Sequence, residues 1–422
     1  MEEQNPWWRK EIDEDYENWL NSEIKWIPNI IEKITLKPFS LHFLIGPRQI
    51  GKTTLLKLFI HEKLLKLKKD AKAIFYYSCD EVSDFKELGE IIDNYISAKK
   101  EWKIKNSIII LDEITFVEEW YRAIKARIDR KLFKSDVLII TGSTSAEILK
   151  EKERFPGRRG NGKDIFFYPM SFSEYVEKFG KLKLKKISFN EIEKIEKAIR
   201  ANKIFSNSIS ELFLKYLESG GFPLAIIDIF SKGKISLKTI KTYLDWIKND
   251  WNKVGKNEKY MKEMLSYIIK AKLSPISWLS IAKETSVHSP HTVQDYIKVL
   301  EDMFCIKVLN LISPDFKILY RKNKKIHIFD PFLYKVFSHY TKEKVLEENV
   351  VESLACGHLS RVSETYFWKN KSEIDIVAVK NKEQIGFEIK WGFKTWKKPK
   401  HLKKMFVLDK EKIPLFFSSI VW

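Results

Sequence analysis

The stretch "LIGPRQIGKTTLLKLFI", Leu44 to Ile60, constrains this chain more than any other. An apolar run enters a loop holding two glycines. A lysine and two threonines follow, and apolar residues then recur at helical spacing. Gly46, Gly51, Lys52 and Thr53 fit the pattern G-x-x-x-x-G-K-[ST]. The pattern needs a strand before it and a helix after it, so that backbone N–H groups and the helix N-terminus converge on phosphate. The expected phosphate-binding residues are Gly46, Pro47, Arg48, Gln49, Ile50, Gly51, Lys52, Thr53 and Thr54. Lys52 would reach the outer phosphates, and the Thr53 hydroxyl would ligate Mg²⁺.

The surrounding runs support that context. "LHFLIG", "AKAIFYYSC", "NSIIILD", "DVLIITG" and "DIFFYPM" are continuous and apolar, as in strands buried on both faces of a parallel sheet. The amphipathic stretches between them suit crossover helices. "SIIILDEI" places Asp112 at a strand end, to hold Mg²⁺ through water, and Glu113 beside it to polarise an attacking water. In "IITGSTS", Thr141 and Ser143 read either as γ-phosphate contacts or as a turn and helix cap. "RFPGRRG" offers Arg154, Arg158 and Arg159, either as a solvated basic loop or as a source of transition-state charge from a neighbouring copy.

Charge points to a partner. The 422 residues include 76 Lys and Arg against 57 Asp and Glu, a formal net charge of +19. That surplus favours a polyanion, nucleic acid first, over simple solubility. The three cysteines form no CxxC pair, the N-terminus has no apolar signal region, and no window approaches 18 apolar residues. A cytoplasmic protein without a membrane partner is expected.

The order of "GPRQIGKTTL", "IIILDEI", "TGSTS", "PGRRG", "YPMSFSEY" and "YLESGGFP" resembles AAA-type P-loop ATPases of archaea and bacteria that carry a C-terminal winged helix and a restriction-endonuclease-like module. The resemblance covers most of the chain. It implies ATP and Mg²⁺ as cofactors, Gly46–Thr54 for phosphate, Asp112 for metal, Glu113 for water activation, Ser143 as sensor, and Arg158 or Arg159 as a finger completing the site in an oligomer. It also places the "GGFP" turn in a helical lid.

Two stretches further on extend the reading. "SWLSIAKETSVHSPHTVQDYIKVLEDM" has two helical patterns joined by a turn; Val293, Tyr296, Ile297 and Leu300 share an apolar face, while His291, Gln294, Asp295 and Lys298 fall outside it. The second helix could enter a major groove or serve as a protein contact. "SEIDIVAVKNKEQIGFEIKWG" reads as a hairpin turning near 381–384, with Asp375 opposite Lys390 and diagonal to Glu388 on one half-buried face. Asp, then Glu-x-Lys on the next strand, is an arrangement used by metal-dependent nucleases, and it resembles the PD-(D/E)xK fold. Asp375, Glu388 and Glu352 would hold the metal, with Lys390 steadying water or phosphate; a cross-strand salt bridge is the plain alternative. Ile374 stands where the name-giving proline would sit. The lysines of "KWGFKTWKKPKHLKKM", interleaved with Trp391, Phe393 and Trp396, suit backbone contacts and base stacking.

The expected architecture is an α/β AAA-type P-loop domain with a helical lid, then a winged helix and a restriction-endonuclease-like α/β domain. The segments are 1–40 (helical arm), 41–175 (ATPase core), 176–256 (lid), 257–335 (winged helix) and 336–422 (nuclease-like). The expected function is ATP hydrolysis coupled to a DNA-binding or DNA-cleaving module. Its rival is an ATP-dependent switch holding a protein or DNA partner, with an inactive nuclease-like domain.

Overall fold

A computed structural model describes the whole chain except residues 144, 371, 393–401 and 403. It contains two compact units, Met1–Tyr168 and Pro169–Trp422. In the first, β1 (Ser40–Ile45), β2 (Ile74–Ser78), β3 (Ile108–Asp112), β4 (Val137–Thr141) and β5 (Asp164–Phe166) are the five runs anticipated as strands. They form one parallel sheet in the order β2-β3-β4-β1-β5. Every residue of β1, β3 and β4 is buried, as a sheet covered on both faces requires. The helices are α1 (Glu14–Asn21), α2 (Lys52–Leu58), α3 (Phe85–Glu101), α4 (Trp120–Asp129) and α5 (Ser145–Glu151). Parallel pairing brings the C-terminal ends of β1, β3 and β4 to one edge, where such sheets bind ligands.

The arm before β1 protects the exposed edge of β2. Trp7 and Trp8 both donate from Nε1 to the Ile74 carbonyl, at 3.0 and 2.9 Å. Asn5 pairs with Tyr76 as a strand would, donating to its carbonyl at 2.9 Å and accepting its N–H at 2.7 Å. Gln4 accepts the Ser78 N–H at 2.6 Å. Side chains thus satisfy backbone groups that would otherwise template aggregation.

The second unit opens with α6 (Phe172–Tyr175), the two-residue β6 (Ile187–Ser188), α7 (Ile195–Asn202), α8 (Ser206–Ser219), α9 (Pro223–Lys232) and α10 (Leu237–Lys253). The charged stretch 180–200 is divided among several short elements. Ile187 and Ser188 pair with the terminal strand, a 3₁₀ turn covers Phe189–Lys194, and α7 buries Ile195, Ala198 and Ile199. Asn202 fixes the bend by pairing with both backbone groups of Lys185. Three helices follow, α11 (Glu258–Lys270), α12 (Trp278–Glu284) and α13 (Pro290–Asp302), then an antiparallel pair, β7 (Ile306–Asn310) and β8 (Lys324–Ile328). Next come α14 (Pro331–Thr341), α15 (Glu347–Leu359), β9 (Glu364–Lys369), β10 (Glu373–Lys380), β11 (Glu383–Lys390), β12 (Lys404–Asp409), α16 (Lys412–Ser418) and β13 (Ile420–Val421). The sheet order is β12-β11-β10-β9, with β12 parallel to β11. The segments read separately as lid, winged helix and tail therefore share one compact unit.

The "GGFP" turn explains part of that union. Gly220 ends α8 at φ 53°, ψ −151°, a conformation essentially reserved for glycine. The Gly221 N–H donates to Asp330 at 3.0 Å, and the same carboxylate caps α14 through the Phe332 N–H at 2.9 Å. Asp330 is 2% exposed, and burial pushes its pKa up to about 6, against those two donors and Arg361. An unfolded aspartate loses its proton near 4, whereas the folded one holds it to about 6. The folded state therefore binds more protons in that window, and this group makes stability fall as pH rises from about 4 to about 6. Melting-temperature curves of the wild type and Asp330→Asn should diverge across that interval, the wild type losing relative to the variant; parallel curves would contradict the assignment.

Candidate functional site

The phosphate loop sits at the C-terminal end of β1. A Cβ on Gly46 would lie 2.3 Å from the Phe167 carbonyl, so the first glycine is needed for the close approach of the chain after β5. Gln49 and Gly51 take left-handed conformations at φ 58° and 90° and curl the loop onto the start of α2. Lys52 is 7% exposed and folds back over the loop, donating to the Gly46 and Pro47 carbonyls at 3.1 Å each.

Asp112, 1% exposed at the end of β3, faces the first turn of α2. Its Oδ2 accepts from the Thr53 hydroxyl at 2.7 Å and from the Tyr76 hydroxyl at 2.9 Å, while Oδ1 accepts the Glu113 N–H at 2.9 Å. Tyr76 was not anticipated. Its ring lies under the Lys57 ammonium, which is bound to Asp13 of the arm at 2.6 Å. Burial and the Asp112 charge keep the Tyr76 phenol protonated, hence a fixed donor.

Glu113 adopts a left-handed backbone at φ 52°, which turns its side chain away from the strand direction. Its Oε2 is buried and has no hydrogen-bond partner. Burial and then Asp112 raise its pKa, opposed by Lys52, the Ser143 hydroxyl and Arg48. Ser143 is 3% exposed and lies 3.4 Å from the Thr115 hydroxyl. The Thr141 hydroxyl, at the end of β4, is buried and unpartnered. Asp112, Glu113, Thr141 and Ser143 thus gather at the sheet edge beside the loop.

The tail carboxylates lie in the second unit. Asn381 and Lys382, both at positive φ, make a two-residue turn, and Ile376 pairs with Phe387. Continuing that register sets Asp375 opposite Glu388, not opposite Lys390 as the sequence suggested. The anticipated turn was centred one residue too late, an error that moves the pairing by two and leaves the shared face unchanged. Asp375 accepts the Ile389 N–H at 2.8 Å. Glu388 is 4% exposed; Oε1 binds the Lys390 ammonium and Oε2 has no partner. Burial, then the opposing carboxylate, raises the pKa of both acids: Glu352 acts on Asp375, and Asp375 on Glu388.

The centre of this cluster is a residue that sequence reading missed. The Lys325 ammonium, from β8, lies 2.7 Å from Glu352, 3.0 Å from Glu373 and 3.6 Å from Asp375. Among the described residues, no group of three or more His, Cys, Asp or Glu side chains is arranged to hold a metal ion. Trp391, expected as a stacking platform, donates from Nε1 to Glu347 at 2.6 Å and packs on Phe213. Phe393 and Trp396 lie outside the described residues.

Residues 39–176 match the family described as an AAA domain. This segment is an AAA-type P-loop ATPase domain. Residues 210–344 match a domain of unknown function, and 310–402 match a family of archaeal and bacterial proteins of unknown function. An uncharacterized protein of Methanocaldococcus jannaschii is 29% identical over 201 residues, which cover 44% of this chain and 39% of that relative. Among solved structures, a Walker-type ATPase of Pyrococcus abyssi aligns at 14% identity and a TM-score of 0.44, over 78% of this chain and 96% of that one. The ORC2 protein of Aeropyrum pernix aligns at 12% and 0.37, over 72% and 88%.

The AAA domain binds ATP with Mg²⁺, and its residues fit the metal. The Thr53 hydroxyl would be a direct ligand and Asp112, hydrogen-bonded to it, would hold a metal-bound water. Bound Mg²⁺ neutralises charge on the β and γ oxygens. Arg158 and Arg159 both bind carboxylates of their own unit, Asp129 at 2.7 Å and Asp164 at 2.7 Å. Arg159 also stacks over Phe43. Arg154 pairs with Glu151 and lies over the Tyr121 ring. No helix among the described residues is long and apolar enough to cross a membrane.

Proposed function

We propose that this protein is an ATP-hydrolysing AAA-type ATPase that acts on DNA, with nucleotide state coupled to a DNA-binding C-terminal module. The observation that carries the DNA reading is a groove of about 1160 Å³ flanked by α12, α13, β7, β8 and β9. It presents Arg321 and Lys322 beside Trp278, Tyr320 and Tyr366, with Lys307 paired to Glu301 at 3.1 Å, and it lies in a chain with a net charge of +19. Cations track phosphates and aromatic faces stack on bases or sugars. The three helices followed by an antiparallel pair suit a winged helix. On α13 the outward His291 and Lys298 are paired with Asp295 and Asp302, and Glu301 adds a third acid, so that helix is net acidic. Phosphate contacts are therefore assigned to the connection between β7 and β8, where Tyr320 is 66% exposed.

Completion of the ATP site by a second copy belongs to the same proposal, and Arg158 suits it better than Arg159. Its pair with Asp129 is solvent-exposed and screened by water, so it yields readily to a phosphate.

Fluorescence anisotropy with duplex DNA tests the partner. Affinity should fall with salt at a log–log slope of roughly −0.9 per phosphate contacted. A flat response between low and moderate salt would contradict nucleic-acid binding. A second reading, DNA cleavage at Asp375, Glu388 and Lys390 with a divalent metal, draws on the facing pair Asp375 and Glu388 and the unpartnered Glu388 oxygen. Nicking of single-stranded, duplex or branched DNA with Mg²⁺ or Mn²⁺, lost in Asp375→Ala, would establish it; absence of nicking leaves the binding module alone.

A further inference from the structure

Lys325 is 2% exposed, on a strand whose five residues are all buried. A buried ammonium without partners would shed its proton. Here Glu352, Glu373 and Asp375 all lie within 3.6 Å of it. Two elements supply those partners: α15 gives Glu352, and β10 gives Glu373 and Asp375. Ser353, next to Glu352, meets His327, the other residue of β8 that points the same way as Lys325. The ammonium is therefore built into the packing of β8 on α15.

We infer that Lys325 is the resident cation of the tail carboxylate cluster, standing where the nuclease-like fold would place a divalent metal. A metal would need oxygens of Glu352 and Asp375 drawn to about 2.0–2.6 Å around one centre. The ammonium already occupies the space between them, and a dication beside it would meet like charge. Charge balance agrees. Glu352, Glu373, Asp375 and Glu388 face Lys325, Lys390 and Lys369, the last bound to Glu373 at 2.8 Å. Four carboxylates against three ammoniums leave too little surplus to attract a second cation strongly. The module then holds its strands together through Lys325, and the second reading given above, metal-dependent cleavage, is the one this inference opposes. This inference concerns the nuclease-like reading of the tail, and it stands or falls on metal binding whatever the protein does to DNA.

The test is Mn²⁺ binding to the full chain without nucleotide, followed by calorimetry and by electron paramagnetic resonance. Lys325→Met should gain one Mn²⁺ per chain over the wild type, and the double variant Lys325→Met/Asp375→Asn should lose it again. Mn²⁺ should raise the melting temperature of Lys325→Met and leave that of the wild type unchanged. Lys325→Arg, which keeps the charge, should gain no ion. Where Lys325→Met fails to fold, the wild type against Asp375→Asn decides: equal Mn²⁺ counts support a resident lysine, and loss of one ion in Asp375→Asn overturns it. A folded Lys325→Met that gains no ion also overturns it.

Discussion

Replacing Glu113 by glutamine is expected to lower ATP turnover by about 10²- to 10⁴-fold while ATP remains bound. The expectation follows from how the two adjacent acids are held. Asp112 is held in place by Thr53, Tyr76 and the Glu113 N–H, and its Oδ1, with a single donor, keeps room to accept from a metal-bound water. Glu113 keeps one buried oxygen unpartnered, and its left-handed backbone aims the side chain out of the strand. An unsatisfied buried acceptor costs about 1–3 kcal/mol, so it is retained for a reason. A water beside the γ-phosphate would satisfy it, and the carboxylate would orient that water for attack. Glutamine keeps the shape and loses the basicity, so binding of ATP, measured with a fluorescent analogue, should change little. Turnover at the wild-type rate would move the base elsewhere.

Replacing Gly220 by alanine should destabilise the second unit by about 3–5 kcal/mol, lowering its melting temperature by roughly 10 °C or more. The added Cβ would stand 1.7 Å from Asp330 Oδ1, and the φ of 53° with ψ of −151° is itself closed to alanine. Relief would break the Gly221–Asp330 hydrogen bond and uncap α14. Gly233 is the control. It ends α9 at φ 70° with nothing within 4 Å of its would-be Cβ, so Gly233→Ala should cost only about 1 kcal/mol. Equal losses at the two positions would show that backbone conformation alone, and not the contact with Asp330, sets the requirement for glycine at 220.

The ATPase half of the chain was legible because its signals are local. The phosphate loop is nine consecutive residues, each strand is a contiguous apolar run, and Asp112 ends one of them. Tyr76 escaped notice because its role depends on β2 lying next to β3, a pairing that no local pattern encodes. The tail was legible in its hairpin and in the face shared by Asp375, Glu388 and Lys390. Its register was misplaced because the tight turn at Asn381-Lys382 shows no glycine to mark it. Lys325 was the larger omission. Nothing local in "KKIHIFD" marks either lysine as buried. All of Lys324–Ile328 is buried, because α15 covers it and carboxylates 27, 48 and 50 residues later neutralise Lys325. Burial of a lysine is set by partners distant in sequence, which composition and periodicity do not reveal.

The coupling of nucleotide to DNA is tested most directly by DNA affinity in defined nucleotide states. Glu113→Gln with ATP and Mg²⁺ provides the ATP-bound form, and the wild type with ADP provides the product form. At one fixed salt concentration their affinities for duplex DNA should differ by at least about fivefold. Equal affinities in the two states would contradict a nucleotide-driven DNA-acting protein.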